Sequence, residues 1–291
     1  MSNGINVRQN KMENHKRLAA QREIYSMAKR LNFFEFIALV GTPLLFTVLG
    51  IIFVNDATLQ SISCITTIVL IVLSVFSARK SDSHIKTAAA IQQEFDLDVY
   101  QMIWDQRLYG SHDNLDDVIG KFANQYHEKY QNYESLRNWY SETNDSCSLN
   151  NGIFTCQRSN VRWDQNIRKI YRLTLITATT LCILGVMTLE IIQKSLITDF
   201  LLTLFSLIPL VNWIVIRLDK LSRDIKRLDT MKTAINSCDC NELNDLELFQ
   251  KKIYVHRQEA DLIPDRFYNI TQKRQEREMK AVSEHLSNSQ N

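Results

Sequence analysis

Residues 33–54 read FFEFIALVGTPLLFTVLGIIFV, and residues 61–78 read SISCITTIVLIVLSVFSA. Neither run has an interior Lys or Arg, and each comes near the roughly 20 residues that carry a helix across about 30 Å of hydrocarbon. The pattern returns as LTLITATTLCILGVMTLEII at 173–192 and LITDFLLTLFSLIPLVNWIVI at 196–216. Within each pair the link is a few residues, 55–60 and then 193–195, so each pair is expected to be a hairpin of two transmembrane helices. All remaining sequence then falls on one side of the bilayer.

Basic residues choose the side. Arg22, Lys29 and Arg30 precede the first run, and Arg79, Lys80 and Lys86 follow the second. Arg168, Lys169 and Arg172 precede the third, and Arg217, Lys220 and Arg223 follow the fourth. The two turns hold only Lys194. The excess of Lys and Arg on the cytoplasmic side of membrane proteins therefore places both termini and the central segment in the cytoplasm. The expectation is a multi-pass membrane protein. About 32 mostly polar residues precede the first run, so no cleaved signal peptide is expected.

The balance of charge, 34 Lys plus Arg against 32 Asp plus Glu, speaks against a polycationic binder of nucleic acid polymers. Its cations sit at the membrane edge, where anionic lipid attracts them. With only 7 Gly and 3 Pro, and no run that alternates like a strand, the chain reads as all-α. The organisation expected is a basic helix within 1–32, a hairpin at 33–78, a central helical segment at 79–172, a second hairpin at 173–216, and a helical segment at 217–291. Residues 1–13 read as disordered. A helix is expected around Val99–Trp104, ending near Gly110, and another along the stripe Leu115, Ile119, Phe122, Tyr126, Tyr130, Tyr133 and Leu136. Leu218, Leu221, Ile225, Leu228 and Ile235 sit near coiled-coil spacing, which suggests a stalk.

Catalytic signatures are absent: there is no phosphate-binding Gly-x-x-x-x-Gly-Lys loop, no nucleophile elbow and no His-Glu-x-x-His. No enzyme, cofactor or resident metal is therefore expected. Cys147, Cys156, Cys238 and Cys240 raise a zinc site as an alternative, but only the last two approach ligand spacing, and cytoplasmic cysteines are most often free thiols. Glu190 and Asp199, near the far ends of the third and fourth runs, are candidates for the mouth of a pore, with Thr66 and Thr177 along its wall. The competing reading has the carboxylates hydrated at the interface and the hydroxyls bonded to helix backbone. No carboxylate falls at mid-bilayer, which disfavours a proton-coupled transporter. Four packed helices fill their own centre, so a pore needs a closed ring of several copies.

Several local strings carry a family resemblance: LAAQREIYSMAK at 18–29, LRNWY at 136–140, CQRSNVRWDQNIRKIY at 156–171 and IPDRFY at 263–268. Together with the layout, they resemble the predicted four-transmembrane pore-forming effectors encoded beside SMODS-type nucleotide cyclases in bacterial anti-phage defence. The resemblance implies an effector that binds a cyclic oligonucleotide and permeabilises the membrane. Such a site needs Arg for phosphate and aromatic faces for bases. Arg158, Arg162, Trp163 and Arg168 lead the candidates, with Trp104, Arg107, Arg137, Trp139, Arg266 and Tyr268 as companions. The plainer reading has Arg162 and Arg168 meeting lipid headgroups, Trp163 anchoring at the interface, and Trp104 and Trp139 in the core. The rival function is a membrane-anchored receptor or scaffold that forms no pore.

Overall fold

The computed structural model describes residues 2–53, 57–111, 115–140, 147–193, 197–237, 242–265 and 267. Among them there is no strand. The elements are α1 (Ile5–Gln9), α2 (Met12–Phe36), a π turn (Ile37–Gly41), α3 (Thr42–Ile52), α4 (Ala57–Tyr100), α5 (Gln106–Tyr109) and α6 (Leu115–Tyr130). After a 3₁₀ turn (Glu134–Leu136) come α7 (Leu149–Gln193), α8 (Ile197–Ser206), α9 (Ile208–Ser237) and α10 (Leu243–Glu259).

Three helical stretches among the described residues are long and apolar enough to cross a bilayer: Met12–Ile52, Ser61–Tyr100 and Leu149–Gln193. The fourth apolar run, expected to be one span, is instead broken between α8 and α9 at Leu207. Pro209 explains the break, since it has no N–H to donate and its ring crowds the carbonyl four residues earlier. Leu207 N–H is shared there between the carbonyls of Thr203 and Leu204, each at 3.2 Å. Pro43 has a counterpart effect: the helix ahead of it widens into the π turn, where Thr42 N–H reaches back five residues to Ile37 O.

Where the spans meet, Val40 and Ile51 pack with Val186, Leu207 and Leu210. Phe36 meets Trp213 edge-on at 5.2 Å. The outward faces stay apolar, as at Ile65, Ile68, Leu181 and Phe205. Hydroxyls in these helices are satisfied by backbone: Thr177 bonds Leu173 O, Thr188 bonds Leu184 O, and Ser77 crosses to Leu31 O.

Four of the helices, α2, α4, α7 and α9, run far beyond the apolar runs and build a polar bundle. α2 lies along α4, and α7 along α9, with α10 packed against α4, α7 and α9. Small residues let α2 and α4 approach closely, with Ala20, Ala28, Ala88 and Ala89 all buried. Ser81 adds a bond across to Asn32 at 2.7 Å. The heptad-like seam of α9 is filled within the chain, because Leu228, Met231 and Ile235 pack on Val161 of α7 and Phe249 and Ile253 of α10. α9 carries the fourth run on into the polar bundle as one helix, and there this seam is core.

Two more expectations are corrected. Within the segment 1–13, residues 2–13 are ordered: Ile5 is buried, Arg8 Nε donates to Val99 O at 2.7 Å, and Gln9 exchanges bonds of 2.7 and 3.1 Å with the Tyr140 backbone. Polar composition suggested disorder, but these side chains cap backbone at the end of α4 and the start of the 140s. The separate helix expected around Val99–Trp104 does not form: Val99 and Tyr100 are the end of α4, and 101–105 are not helical. α4 stops at Tyr100, Gln101 takes a left-handed φ of 59°, and Met102 N–H bonds Leu97 O at 2.9 Å, closing the helix with a Schellman-type turn. Asp105 then caps α5 by accepting from Arg107 N–H at 2.9 Å.

Candidate functional site

The bend after α4 makes a groove. Residues 101–109 face the first turns of α10, leaving an open cavity of about 680 Å³ lined by Leu97, Met102, Trp104, Arg107, Tyr109, Asn244, Leu248 and Lys251, among others. Trp104 is fixed from below, its indole N–H donating to Gly110 O at 2.9 Å and its ring lying 5.1 Å from Tyr109. Tyr109 meets Tyr254 of α10 edge-on at 5.2 Å. Arg107 is 89% exposed and lies 3.3 Å from Asp105, whose carboxyl is held below the usual range mainly by bonds from Arg107. Leu248 and Lys251 also line a second, neighbouring groove, of about 490 Å³, with Arg227, Lys252, Met231 and Val255 between α9 and α10. Aromatic faces flanked by cations are the chemistry that holds a base and a phosphate.

Behind the groove lies a buried polar network. Asp96 accepts from Tyr140 Oη at 2.7 Å, Gln250 Nε2 at 2.9 Å and Arg257 at 2.6 Å. Burial opposes the Arg257 charge, but Asp96 beside it raises the guanidinium above its usual range. Gln250 also bonds Gln93 and Gln157, so α4, α7 and α10 are joined by one chain of side chains.

A second network sits nearer the apolar layer. Arg168 of α7, 7% exposed, lies 2.9 Å from both Asp164 and Asp224 and donates to Asp261 O at 2.8 Å. Asp164 also meets His256 Nε2 at 2.8 Å. Burial pushes the Asp164 carboxyl up, yet Arg168 and His256 outweigh it and hold it well below the carboxylate range. Arg217 lies 2.7 Å from Asp261. There burial prevails and raises the Asp261 carboxyl despite Arg217.

Of the sequence-chosen ligand residues, the structure brings Trp104 and Arg107 together in the groove. Arg158 and Arg162 are exposed on α7, and Trp163 packs against Ile167 and Tyr171. Arg168, a sequence candidate for ligand or headgroup contact, is instead buried and held by the Asp164 and Asp224 carboxylates and the Asp261 carbonyl. Arg137 pairs with Glu134 at 3.4 Å, and Trp139 stands edge-on to Phe95 at 6.4 Å. Arg266 and Tyr268 lie outside the described residues. Tyr109, Asn244 and Lys251 were missed, since no spacing in the sequence announces that α10 returns to the 101–109 bend.

Of the pore candidates, Glu190 is 3% exposed and turned toward α8, where Thr203 donates to it. Thr66 is half-buried and Thr177 exposed on its helix, while the side chain of Asp199 lies outside the described residues. Among the described residues no group of three metal-ligating side chains occurs. Cys156 is fully buried, Cys147 lies 3.8 Å from the Asn3 side chain, and Cys238 and Cys240 fall outside the described residues.

Fold and site together define an all-helical membrane protein with a ligand-sized groove on its polar bundle. A family model described as the SMODS-associating 4TM effector domain matches residues 3–286, so the chain belongs to that family. A curated relative, a probable CBASS effector molecule of Bacillus cereus (strain VD146), is 21% identical over 221 residues, covering 72% of each chain. No solved structure matches.

Proposed function

We propose that this protein is a membrane effector of bacterial anti-phage defence, in which a cyclic oligonucleotide bound at the Trp104–Arg107–Lys251 groove switches the membrane hairpins to a permeable state. The observation that carries the reading is the continuity of α4 and α7, each a single helix from the polar bundle into the apolar layer. Movement at the groove, which α10 shares with α4, is thereby coupled to the spans. Family membership supports the effector role, and the probable CBASS effector among its relatives supports the class of signal.

In this reading the four apolar runs form two hairpins, both termini are cytoplasmic, and the pore is a ring of copies in the inner membrane. No catalytic step is assigned to the chain. Thr177, on an outward face of α7, is a wall residue of the ring, and Glu190 braces α7 against α8 instead of facing the lumen.

Calorimetric titration of the purified protein with a panel of cyclic di- and trinucleotides tests the groove. Binding of one member is expected, weakened about 5- to 150-fold by Trp104→Ala, since losing a stacked base costs about 1–3 kcal/mol, and weakened also by the double change Arg107→Ala with Lys251→Ala. Binding unaffected by these changes would place the site elsewhere.

A further inference from the structure

After α10 the chain leaves helical conformation and runs as a strap, residues 260–264, with Ala260, Asp261, Leu262 and Ile263 all buried. An extended buried segment needs partners for its backbone, and helices α7 and α9 supply them from their side chains. Asp261 N–H donates to Asp224 at 2.9 Å, Arg168 donates to Asp261 O at 2.8 Å, and Arg217 reaches Leu262 O at 3.5 Å. The Asp261 carboxylate takes Arg217 at 2.7 Å. All of these anchors belong to the second helical pair.

The side chains divide between the pairs. Ile263 packs into the cluster of Ile167, Tyr171 and Leu221 on α7 and α9. Its neighbour Leu262 packs the other way, onto Ala28 of α2 and Ile85 of α4. Lys29 of α2 pairs with Asp265 just beyond. Within about two turns of these contacts, α2 and α4 enter the apolar runs that begin at Phe33 and end at Ala78.

We infer that residues 261–265 are a clasp that fixes the first helical pair against the second where both enter the membrane, and that releasing it opens the resting arrangement of the hairpins. Because the clasp continues directly from α10, any displacement of α10 by the groove pulls on Asp261 and Leu262. The gating consequence rests on the effector reading; the spacing it sets does not.

The test uses the full-length protein in lipid nanodiscs with donor and acceptor dyes on genetically encoded handles at exposed Lys80 and Lys220, one on each pair. A control couple at Lys169 and Lys220 reports within the second pair. Replacing Leu262 and Ile263 together by Ala is expected to lower energy transfer between 80 and 220 and leave 169 to 220 unchanged. Asp261→Asn, a milder change of the same shape, moves it in the same direction and serves if the double variant fails to fold. Unchanged 80-to-220 transfer in the folded variants overturns the clasp. Vesicles of the strap variants are expected to leak dye with no nucleotide added. If transfer falls but neither wild type nor variant ever leaks, the clasp stands and the pore reading falls.

Discussion

Asp96 has no exposed surface, and its carboxylate is occupied by a phenol, an amide and a guanidinium. A buried pair of this kind adds little net stability over an apolar core, but removing one partner leaves the other charged in a dry site. Asp96→Ala is therefore expected to cost about 3–5 kcal/mol by stranding Arg257, measured by thermal unfolding in detergent, whereas Asp96→Ala combined with Arg257→Met recovers most of the loss. Gly110 shows a different dependence on one residue: with φ 87° and ψ −174° it occupies backbone space that is almost confined to glycine. Gly110→Ala shifts the carbonyl that holds the Trp104 indole, and its effect is expected in ligand affinity and Trp104 fluorescence more than in overall stability. Acid dependence follows from His15 and His84, both lowered below the ordinary imidazole value by burial first and then by nearby Arg137 and Lys80 respectively. The neutral ring is favoured in the fold, so their contribution is full above about pH 6.5 and is lost as pH falls through the lowered values. Melting temperature should drop between pH 7 and 5, and less so in His15→Asn with His84→Asn.

Among the elements, the long helices were legible in the sequence because apolar periodicity and charge at the membrane edge are local signals. The fourth run was not legible as broken: mean apolarity is blind to one proline, and only the shared bond at Leu207 exposes the interruption. The end of α4 was also missed, since Val99–Trp104 keeps helical spacing and the Schellman turn uses Gln101 where a glycine is usual. The seam of α9 was correctly apolar, but its partner was Phe249 of the same chain, a contact that no spacing encodes. The groove was half legible: Trp104 and Arg107 stood out by residue type, and their companions come from 140 residues further along the chain. Continuity of α9 across the membrane edge matters for transmission, so a Gly-Pro insertion after Arg217 is expected to abolish the increase in dye release caused by nucleotide while calorimetry still detects ligand binding. A nucleotide-dependent increase that survives the insertion removes α9 as the transmitter. Pro209→Ala allows α8 and α9 to join, and tests whether the break is part of gating: ligand-dependent leak should fall with fold retained by circular dichroism.

At the scale of the molecule, Val40, Val186, Leu207 and Leu210 fill the contact where the described apolar helices meet. In the proposed reading permeation belongs to an assembly, with outward faces such as Ile65, Leu181 and Phe205 turned to other copies or to lipid. In the same reading the groove, α10, the clasp and the continuous helices form one connected route from ligand to bilayer. Dye release from liposomes carrying the purified protein, with cyclic di- and trinucleotides added singly, tests that route most directly. The account predicts release with one member of the panel, lost in Trp104→Ala at the same protein density. Tight binding of a nucleotide with no release at any protein density would contradict it, leaving a membrane-anchored receptor or scaffold in its place.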